Sequence, residues 1–294
     1  RRNIVDNILK KYLAYDGMVK VVLVNGTKMV SEARNIHNLS NVTTAALGRT
    51  LIMTAIMSSK LKDKDNRITV QIKGDGPIGS IVTCGNSNLD IKGYVSVPDV
   101  ELPLNDIGKL DVAKAVGKGY LNVIKDIGLK EPYIGYSNLV TSEIAEDFAY
   151  YFVTSEQTPC AVALGVNISK ENKVDMAAGY IIEPLPDCSE DIIDIIESIN
   201  MNISSVTGLM MDLDNMDDVA KTITGDNNIV CIEELNPSYK CDCSTSRIDK
   251  TIIALGKDEA FKILEENNNK IEVNCNFCNK TYKYNKEMVE KLFS

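Results

Sequence analysis

The stretch that decides the C-terminal fold reads Cys241-Asp242-Cys243, then 31 residues, then Cys275-Asn276-Phe277-Cys278. A CxxC segment places two thiolates on one turn, where both can face a single metal ion, and a CxC segment does the same with less slack. Two such pairs complete a Cys₄ shell, which is the closed tetrahedral geometry of a structural zinc site. We therefore predict that one Zn²⁺ is bound by Cys241, Cys243, Cys275 and Cys278.

Two other interpretations of this spacing stay open. The four residues can be two chance pairs of buried cysteines, or they can close as two local disulfides. A cytosolic metal or thiol role is favoured over a secreted disulfide framework, because eight cysteines in 294 residues is a low density for such a framework.

Composition and charge argue against several classes of protein. The chain is 44% apolar, which is enough for a core, and no run of 18 apolar residues predicts a membrane span. The N-terminus lacks the apolar core of a signal peptide, so we expect a cytoplasmic location and no membrane partner. The net charge of -9 argues against general nucleic-acid binding.

The negative charge is concentrated in one segment. From Val174 to Ala220 there is no Lys or Arg, and these 47 residues hold eleven acids, whereas the rest of the chain has 30 acids and 32 bases. Ser189 is a candidate helix cap, and an isoleucine stripe follows it over residues 192–199, ahead of two further short apolar-faced helices. Residues 183–235 are therefore predicted to form an acidic helical linker. It is either packed statically on its neighbours or metastable, able to undock and expose isoleucines and methionines.

Residues 1–182 are predicted to be an α+β body, in which antiparallel sheets are covered by helices. Met18–Val24 and Thr27–Ala33 are predicted to pair as a hairpin across Asn25-Gly26, and the chain before them is predicted to be helical. The other predicted elements are helices over Ser40–Lys60, Asp111–Val116 and Ile144–Thr154, and strands over Ile68–Lys73, Ser80–Cys84, Ile91–Val97, Tyr120–Lys125, Cys160–Val166 and Met176–Ile182.

The usual signatures of an enzyme are missing from the sequence. Gly74–Gly79 matches G-x-G-x-x-G, but a strand-like segment follows where a dinucleotide site needs a helix, so we predict a hairpin turn there. The single histidine, His37, has no serine or cysteine motif beside it and is predicted to be a structural loop residue. No catalytic activity is expected.

Residues 236–294 are predicted to form a small zinc-binding domain. Helices are expected over Ser246–Leu255, Lys257–Glu266 and Lys286–Phe293, and Ile271–Asn274 and Thr281–Tyr284 are expected to pair around the CxxC turn. A domain of this size buries little apolar surface. Structural zinc contributes roughly 10–16 kcal/mol in small domains, compared with a total stability of about 5–15 kcal/mol for a whole domain. Loss of the metal is therefore expected to unfold this part of the chain.

This balance suggests a redox switch. Zinc holds its ligands as thiolates, the form that oxidants attack, and a disulfide sulfur is not a useful zinc ligand. Oxidation would release the metal and unfold the domain, and the acidic linker would lose its support. The apolar stripes exposed in this way would bind the apolar surface of unfolding proteins.

The motifs resemble those of the 33-kDa redox-regulated heat-shock chaperone family (the 33 kDa chaperonin). The matching stretches run nearly end to end and are Lys73–Pro77, Ile144–Phe152, Ser155–Pro159, Asn236–Ser244 and Ile271–Asn279 with Tyr282. The resemblance implies an ATP-independent holdase that is inactive when reduced and zinc-bound and active as an oxidised homodimer. It also implies redox-active disulfides within each pair, Cys241–Cys243 and Cys275–Cys278.

Four further cysteines depart from the family pattern. Cys84 and Cys160 lie in apolar strand patterns and are expected to be buried and inert. Cys188 and Cys231 flank the linker helices, where they can join mixed disulfides under oxidation.

Two other classes of function stay open. A zinc-ribbon nucleic-acid binder is one, although residues 236–294 hold ten bases and nine acids with no basic stripe. A thiol–disulfide oxidoreductase is the other, although its CxxC opens a helix rather than forming a hairpin turn.

Overall fold

The computed structural model describes residues 6–213 and 215–293, and the chain divides into two compact units, Arg1–Tyr239 and Lys240–Ser294. The fold is α+β with mainly antiparallel sheets, so the predicted fold class is confirmed.

A five-stranded antiparallel sheet forms one layer of the larger unit. Its strands are, in order across the sheet, β10 (Val230–Leu235), β1 (Ile8–Ala14), β2 (Val19–Asn25), β9 (Val174–Pro184) and β8 (Ala161–Ile168). The side chains of β2 alternate between two cores: Val22 and Val24 belong to one, and Val21 and Leu23 to the other. Both faces of this sheet are therefore covered.

A second, six-stranded sheet completes the larger unit. Its strands are, in order, β11 (Ser238–Tyr239), β5 (Asp90–Val95), β4 (Ser80–Asn86), β3 (Arg67–Gly74), β6 (Gly119–Asp126) and β7 (Tyr133–Asn138). The pairs are antiparallel except for the parallel pair of β11 and β5. The loop before β4 is a hairpin turn, as the sequence predicted for Gly74–Gly79.

Four helices accompany these sheets: α1 (Thr27–His37), α2 (Asn41–Ser58), α3 (Val112–Val116) and α4 (Ala145–Ser155). α2 is buried almost all round and contacts strands of both sheets, which join through it into one apolar core. A helix that is apolar on every side is typical of such a position.

The predicted hairpin across Asn25-Gly26 is wrong. Thr27 begins α1, and β2 pairs instead with β9 and with β1, which lies in the stretch predicted to be helical. Asn25 Oδ1 accepts hydrogen bonds from Thr27 N at 3.2 Å and Thr27 Oγ1 at 2.7 Å, so the side chain that favours a turn instead helps to start a helix. Three further strands, β7, β10 and β11, were not predicted.

The three predicted helices of the acidic linker are present as α5 (Glu190–Met201), α6 (Val206–Asp212) and α7 (Met216–Thr224). They pack on the Val21 and Leu23 face of the five-stranded sheet, burying Ile196, Val206 and Ile223. Their acids remain mostly exposed. Apolar packing therefore holds this charged segment on the larger unit.

The smaller unit contains α8 (Thr245–Leu255), α9 (Lys257–Glu266), the hairpin of β12 (Lys270–Asn274) and β13 (Thr281–Asn285), and α10 (Lys286–Leu292). Its buried apolar residues are few and consist of Ile252, Ala260, Leu264, Ile271, Tyr282, Tyr284 and Val289. Within the described residues of both units, no helix has the length and apolar character needed to cross a membrane.

Candidate metal centre

Four cysteine side chains meet in the smaller unit. Their Sγ atoms all lie within 4.8 Å of one another, with 3.6 Å between Cys241 and Cys275 and 3.4 Å between Cys243 and Cys278. A tetrahedral zinc with Zn–S bonds of about 2.3 Å separates its sulfurs by about 3.8 Å, whereas a disulfide bond is about 2.05 Å long. The four sulfurs are therefore free thiols at the spacing of a metal shell.

The CxxC segment forms the turn between β12 and β13. Asn279 N donates to Cys275 O at 2.8 Å, Cys278 N donates to the same oxygen at 3.3 Å, and Cys275 N donates to Lys280 O at 2.9 Å. Asn279 adopts a left-handed conformation with φ of 56°, which asparagine tolerates better than most residues. This turn fixes the direction of both thiols.

The CxC segment leads directly into α8. Ser244 is the N-cap, and its Oγ accepts a hydrogen bond from Arg247 N at 3.3 Å. The helix therefore begins two residues after Cys243 and ties the CxC pair to the core through Ile252. A helix N-terminus carries partial positive charge, which favours a nearby thiolate.

Three of the thiols, those of Cys241, Cys243 and Cys278, differ in pKa. Burial opposes ionisation of Cys243, but hydrogen bonds from Tyr282 and from the neighbouring thiols outweigh it and lower the pKa of Cys243 to about 7. Tyr282 Oη donates to Cys243 Sγ at 3.2 Å. Burial raises the pKa of Cys241 and of Cys278. Cys243 is therefore the most acidic of these three thiols.

The chain reaches this cluster from a fixed point in the larger unit. Tyr239 is buried, and its Oη donates to Gly93 O at 2.7 Å and lies 2.9 Å from His37 Nε2. His37 ends α1 and is itself buried, so it is a structural residue, although it lies in a helix and not in a loop. Cys241 follows Tyr239 by two positions.

The other four cysteines lie outside the cluster. Cys84 and Cys160 are partly buried, and burial raises the pKa of Cys160 to about 12, which keeps its thiol protonated and unreactive. Cys188 is partly buried and Cys231 is exposed.

Sequence reasoning gave no role to Tyr282 or Tyr239. The alternation of Tyr282 and Tyr284 on one face of β13 could have indicated that Tyr282 points inward towards the cysteines.

A family model described as Hsp33 protein matches residues 7–285. The curated relatives include the 33 kDa chaperonin of Thermoanaerobacter sp. (strain X514), which is 45% identical over 280 residues and covers 95% of each chain. The 33 kDa chaperonin of Acetivibrio thermocellus is 42% identical over 287 residues, covering 98% of this chain and 97% of its own.

The fold is similar to a solved structure as well. The crystal structure of the 33 kDa chaperonin (heat shock protein 33 homolog) from Thermotoga maritima matches with a TM-score of 0.89 and 36% identity. The match covers 98% of this chain and 97% of that one.

Proposed function

The chain belongs to the Hsp33 family, a chaperone family, and from this premise we propose that it is a redox-regulated, ATP-independent holdase. It binds unfolding proteins under oxidative stress and is inactive while reduced and zinc-bound. The observation that carries the proposal is the cluster of four free thiols within 4.8 Å in a unit with a very small apolar core.

In this proposal, Cys241, Cys243, Cys275 and Cys278 hold one structural Zn²⁺. Four thiolates at these distances suit zinc, which prefers tetrahedral sulfur shells. The bound metal supplies most of the folding free energy of the smaller unit. The turn at Cys275–Cys278 and the cap at Ser244 orient the sulfurs, and the Tyr282 hydroxyl supports the thiolate of Cys243.

Oxidation closes the disulfides Cys241–Cys243 and Cys275–Cys278. For each pair, two thiols give two electrons and two protons to one peroxide molecule, one S–S bond forms, and two waters are released. The pairing matters because a bridge such as Cys241–Cys275 would close a long loop and stabilise the unit by a few kcal/mol. Bridges within each pair close only short loops and leave the unit free to unfold once zinc is lost.

The acidic linker is the element that responds. Its attachment is apolar apart from a few polar contacts, such as Tyr12 Oη donating to Asp217 Oδ1 at 2.8 Å and Tyr180 Oη donating to Asn200 Oδ1 at 2.6 Å. Ten of the eleven acids of residues 174–220, a stretch without Lys or Arg, lie in this linker, where they repel one another and disfavour the compact state. Release would expose the apolar face of the sheet and of α5–α7 for clients.

Further parts of the proposal concern location and partners. The oxidised form is a homodimer in the cytoplasm and acts on unfolding client proteins. It does not bind nucleic acid or a membrane, and it does not catalyse a reaction. The near balance of ten bases and nine acids in residues 236–294 supports the exclusion of nucleic acid.

One titration tests the switch. Zinc-loaded, reduced protein is treated with increasing peroxide at raised temperature while zinc release, free thiols and aggregation of a heat-labile test enzyme are followed. We expect zinc release and suppression of aggregation to rise together as four thiols are lost. Full suppression by the reduced, zinc-loaded protein would contradict the proposal, as would zinc retention after complete oxidation of the four cysteines.

Replacing Tyr282 with phenylalanine is expected to weaken zinc binding about tenfold, because a hydrogen bond donated to a metal ligand typically contributes about 10–100-fold to metal affinity. The measurement is competition with a chromogenic chelator. Tyr284→Phe is the matched control, since the Tyr284 hydroxyl donates to Asp249 at 2.7 Å. An equal loss of affinity in both variants would mean that the effect comes from packing.

A further inference from the structure

The sheet edges of the larger unit are protected to different degrees. Glu233 and Glu234 place charges on the edge strand β10, and on β7 the Tyr136 carbonyl accepts a hydrogen bond from Ser155 Oγ at 2.6 Å. Such charges and covering contacts are the usual means by which proteins prevent strand addition at an edge. Of the two remaining edges, β11 is only two residues long, and β8 lacks such charges and covering contacts.

β8 reads Ala161-Val-Ala-Leu-Gly-Val-Asn-Ile168 and contains no charged residue and no proline. It pairs with β9 on one side. On its other side, the described residues supply no hydrogen bond to its backbone. A bulge after Asn167 interrupts the regular pairing, so the unpaired edge that can accept another strand runs from Ala161 to Asn167.

This edge lies at the bottom of a groove. A cavity of about 760 Å³, here called the edge groove, is lined by all eight residues of β8, by Asn41, Ala45 and Arg49 of α2 on one side, and by residues 203–207 on the other. The walls come close to the strand, since a Cβ added at Gly165 would lie 2.9 Å from Thr207 Cγ2. In the reduced protein the edge groove is therefore narrow at Gly165, which favours a single extended strand over the edge of a second folded sheet.

An apolar cavity continues from one end of the groove. It has a volume of about 1010 Å³, shares Ala161 and Val162 with the edge groove, and is lined by Val153, Leu185 and Met201 among others. These three side chains are exposed. A bulky apolar residue at the end of a docked strand would find its contacts there.

We propose that β8 is a strand-addition site that takes an extended, uncharged segment of an unfolding polypeptide. The backbone of the segment pairs with the free edge over Ala161–Asn167, and its side chains point alternately towards α2 and towards the sheet face that α6 covers in the reduced protein and leaves on oxidation. Its apolar end packs beside Val153 of α4. Backbone pairing is independent of sequence, which suits a binder of many clients. The inference rests on the proposed holdase function and names the class of segment that is held.

The test uses the full-length chain, reduced and oxidised, with a labelled ten-residue peptide that has a Val/Ala core and a terminal Leu. Its partner peptide has the same sequence with alternate core amides N-methylated, which keeps the apolar surface and removes the backbone donors. We expect the N-methylated peptide to bind at least about tenfold more weakly, because two or more hydrogen bonds are lost. We also expect amide hydrogen exchange to slow in residues 161–168 and to remain unchanged in β7.

A pair of matched variants sharpens the result. Asn167→Lys adds a charge to the β8 edge, and Asn138→Lys adds the same charge to β7. Only the first is expected to weaken peptide binding, by about fivefold or more, because lysine is a common edge-blocking residue. Equal binding of the N-methylated peptide, protection mapped away from β8, protection of β8 by self-association alone, or no binding in either redox state would each overturn the proposal.

The outcomes also separate this site from the proposed function. A protein that suppresses aggregation after oxidation without protecting β8 retains the holdase function and loses the strand-addition site. Peptide pairing at β8 without any suppression of aggregation would support the strand-addition site and contradict the proposed holdase function.

Discussion

Replacing Cys278 with serine is expected to abolish zinc binding and to unfold the smaller unit. The apolar core of a unit of this size rarely supplies more than about 3–5 kcal/mol, whereas structural zinc supplies roughly 10–16 kcal/mol of apparent free energy. A serine hydroxyl is a poor substitute for a thiolate, and three remaining ligands no longer close the shell. The loss therefore exceeds what the core can offset.

The measurement combines zinc content per chain with limited proteolysis and amide exchange of residues 240–293. We expect zinc to fall close to zero and the protection of α8, α9 and β12 to disappear. Cys231→Ser is the matched control, because Cys231 is exposed and lies outside the cluster. Retention of one tightly bound metal ion in the Cys278 variant would rule out the Cys₄ assignment.

The cysteine cluster was accessible to sequence reasoning because cysteine spacing is a local property. CxC and CxxC fix which thiols can face one point, and the structure brings all four together. The helices of the acidic linker were equally predictable, since the isoleucine pattern after Ser189 has helical periodicity over several turns.

The errors arose where tertiary pairing overrides local preference. β1 pairs on both sides, with β2 and β10, and that environment selects a strand from a stretch with no strong preference of its own. β10 exposes most of its side chains, so no alternation of buried and exposed positions marks it in the sequence. The edge groove depends on which strand ends a sheet, which is a property of topology that the sequence does not spell out.

Asp147 is a buried carboxylate that holds the loop before α4 in place. The residue is fully buried, and its carboxylate accepts hydrogen bonds from four backbone N–H groups: Val140 at 2.7 Å, Thr141 at 3.0 Å, Ser142 at 3.2 Å and Ile144 at 2.9 Å. The loop that it holds is strained, because Ser142 and Ile144 have φ values of 64° and 77°. A β-branched residue rarely adopts a positive φ, and surrounding contacts must hold it there.

Asp147→Ala is therefore expected to destabilise the larger unit by roughly 3–4 kcal/mol, since several buried donors lose their acceptor and the strained loop loses its support. For a unit of this size, the midpoint of thermal unfolding should fall by roughly 10 °C, which calorimetry of the reduced, zinc-loaded protein measures. Glu146→Ala is the matched control, because it removes the neighbouring carboxylate of the same helix turn, which takes part in none of these hydrogen bonds. Asp147→Asn should give an intermediate loss of stability. Its one carbonyl oxygen can accept hydrogen bonds from only some of the four N–H groups, and its NH₂ group faces the others. A change of less than about 1 kcal/mol for Asp147→Ala would show that water or loop rearrangement replaces the carboxylate.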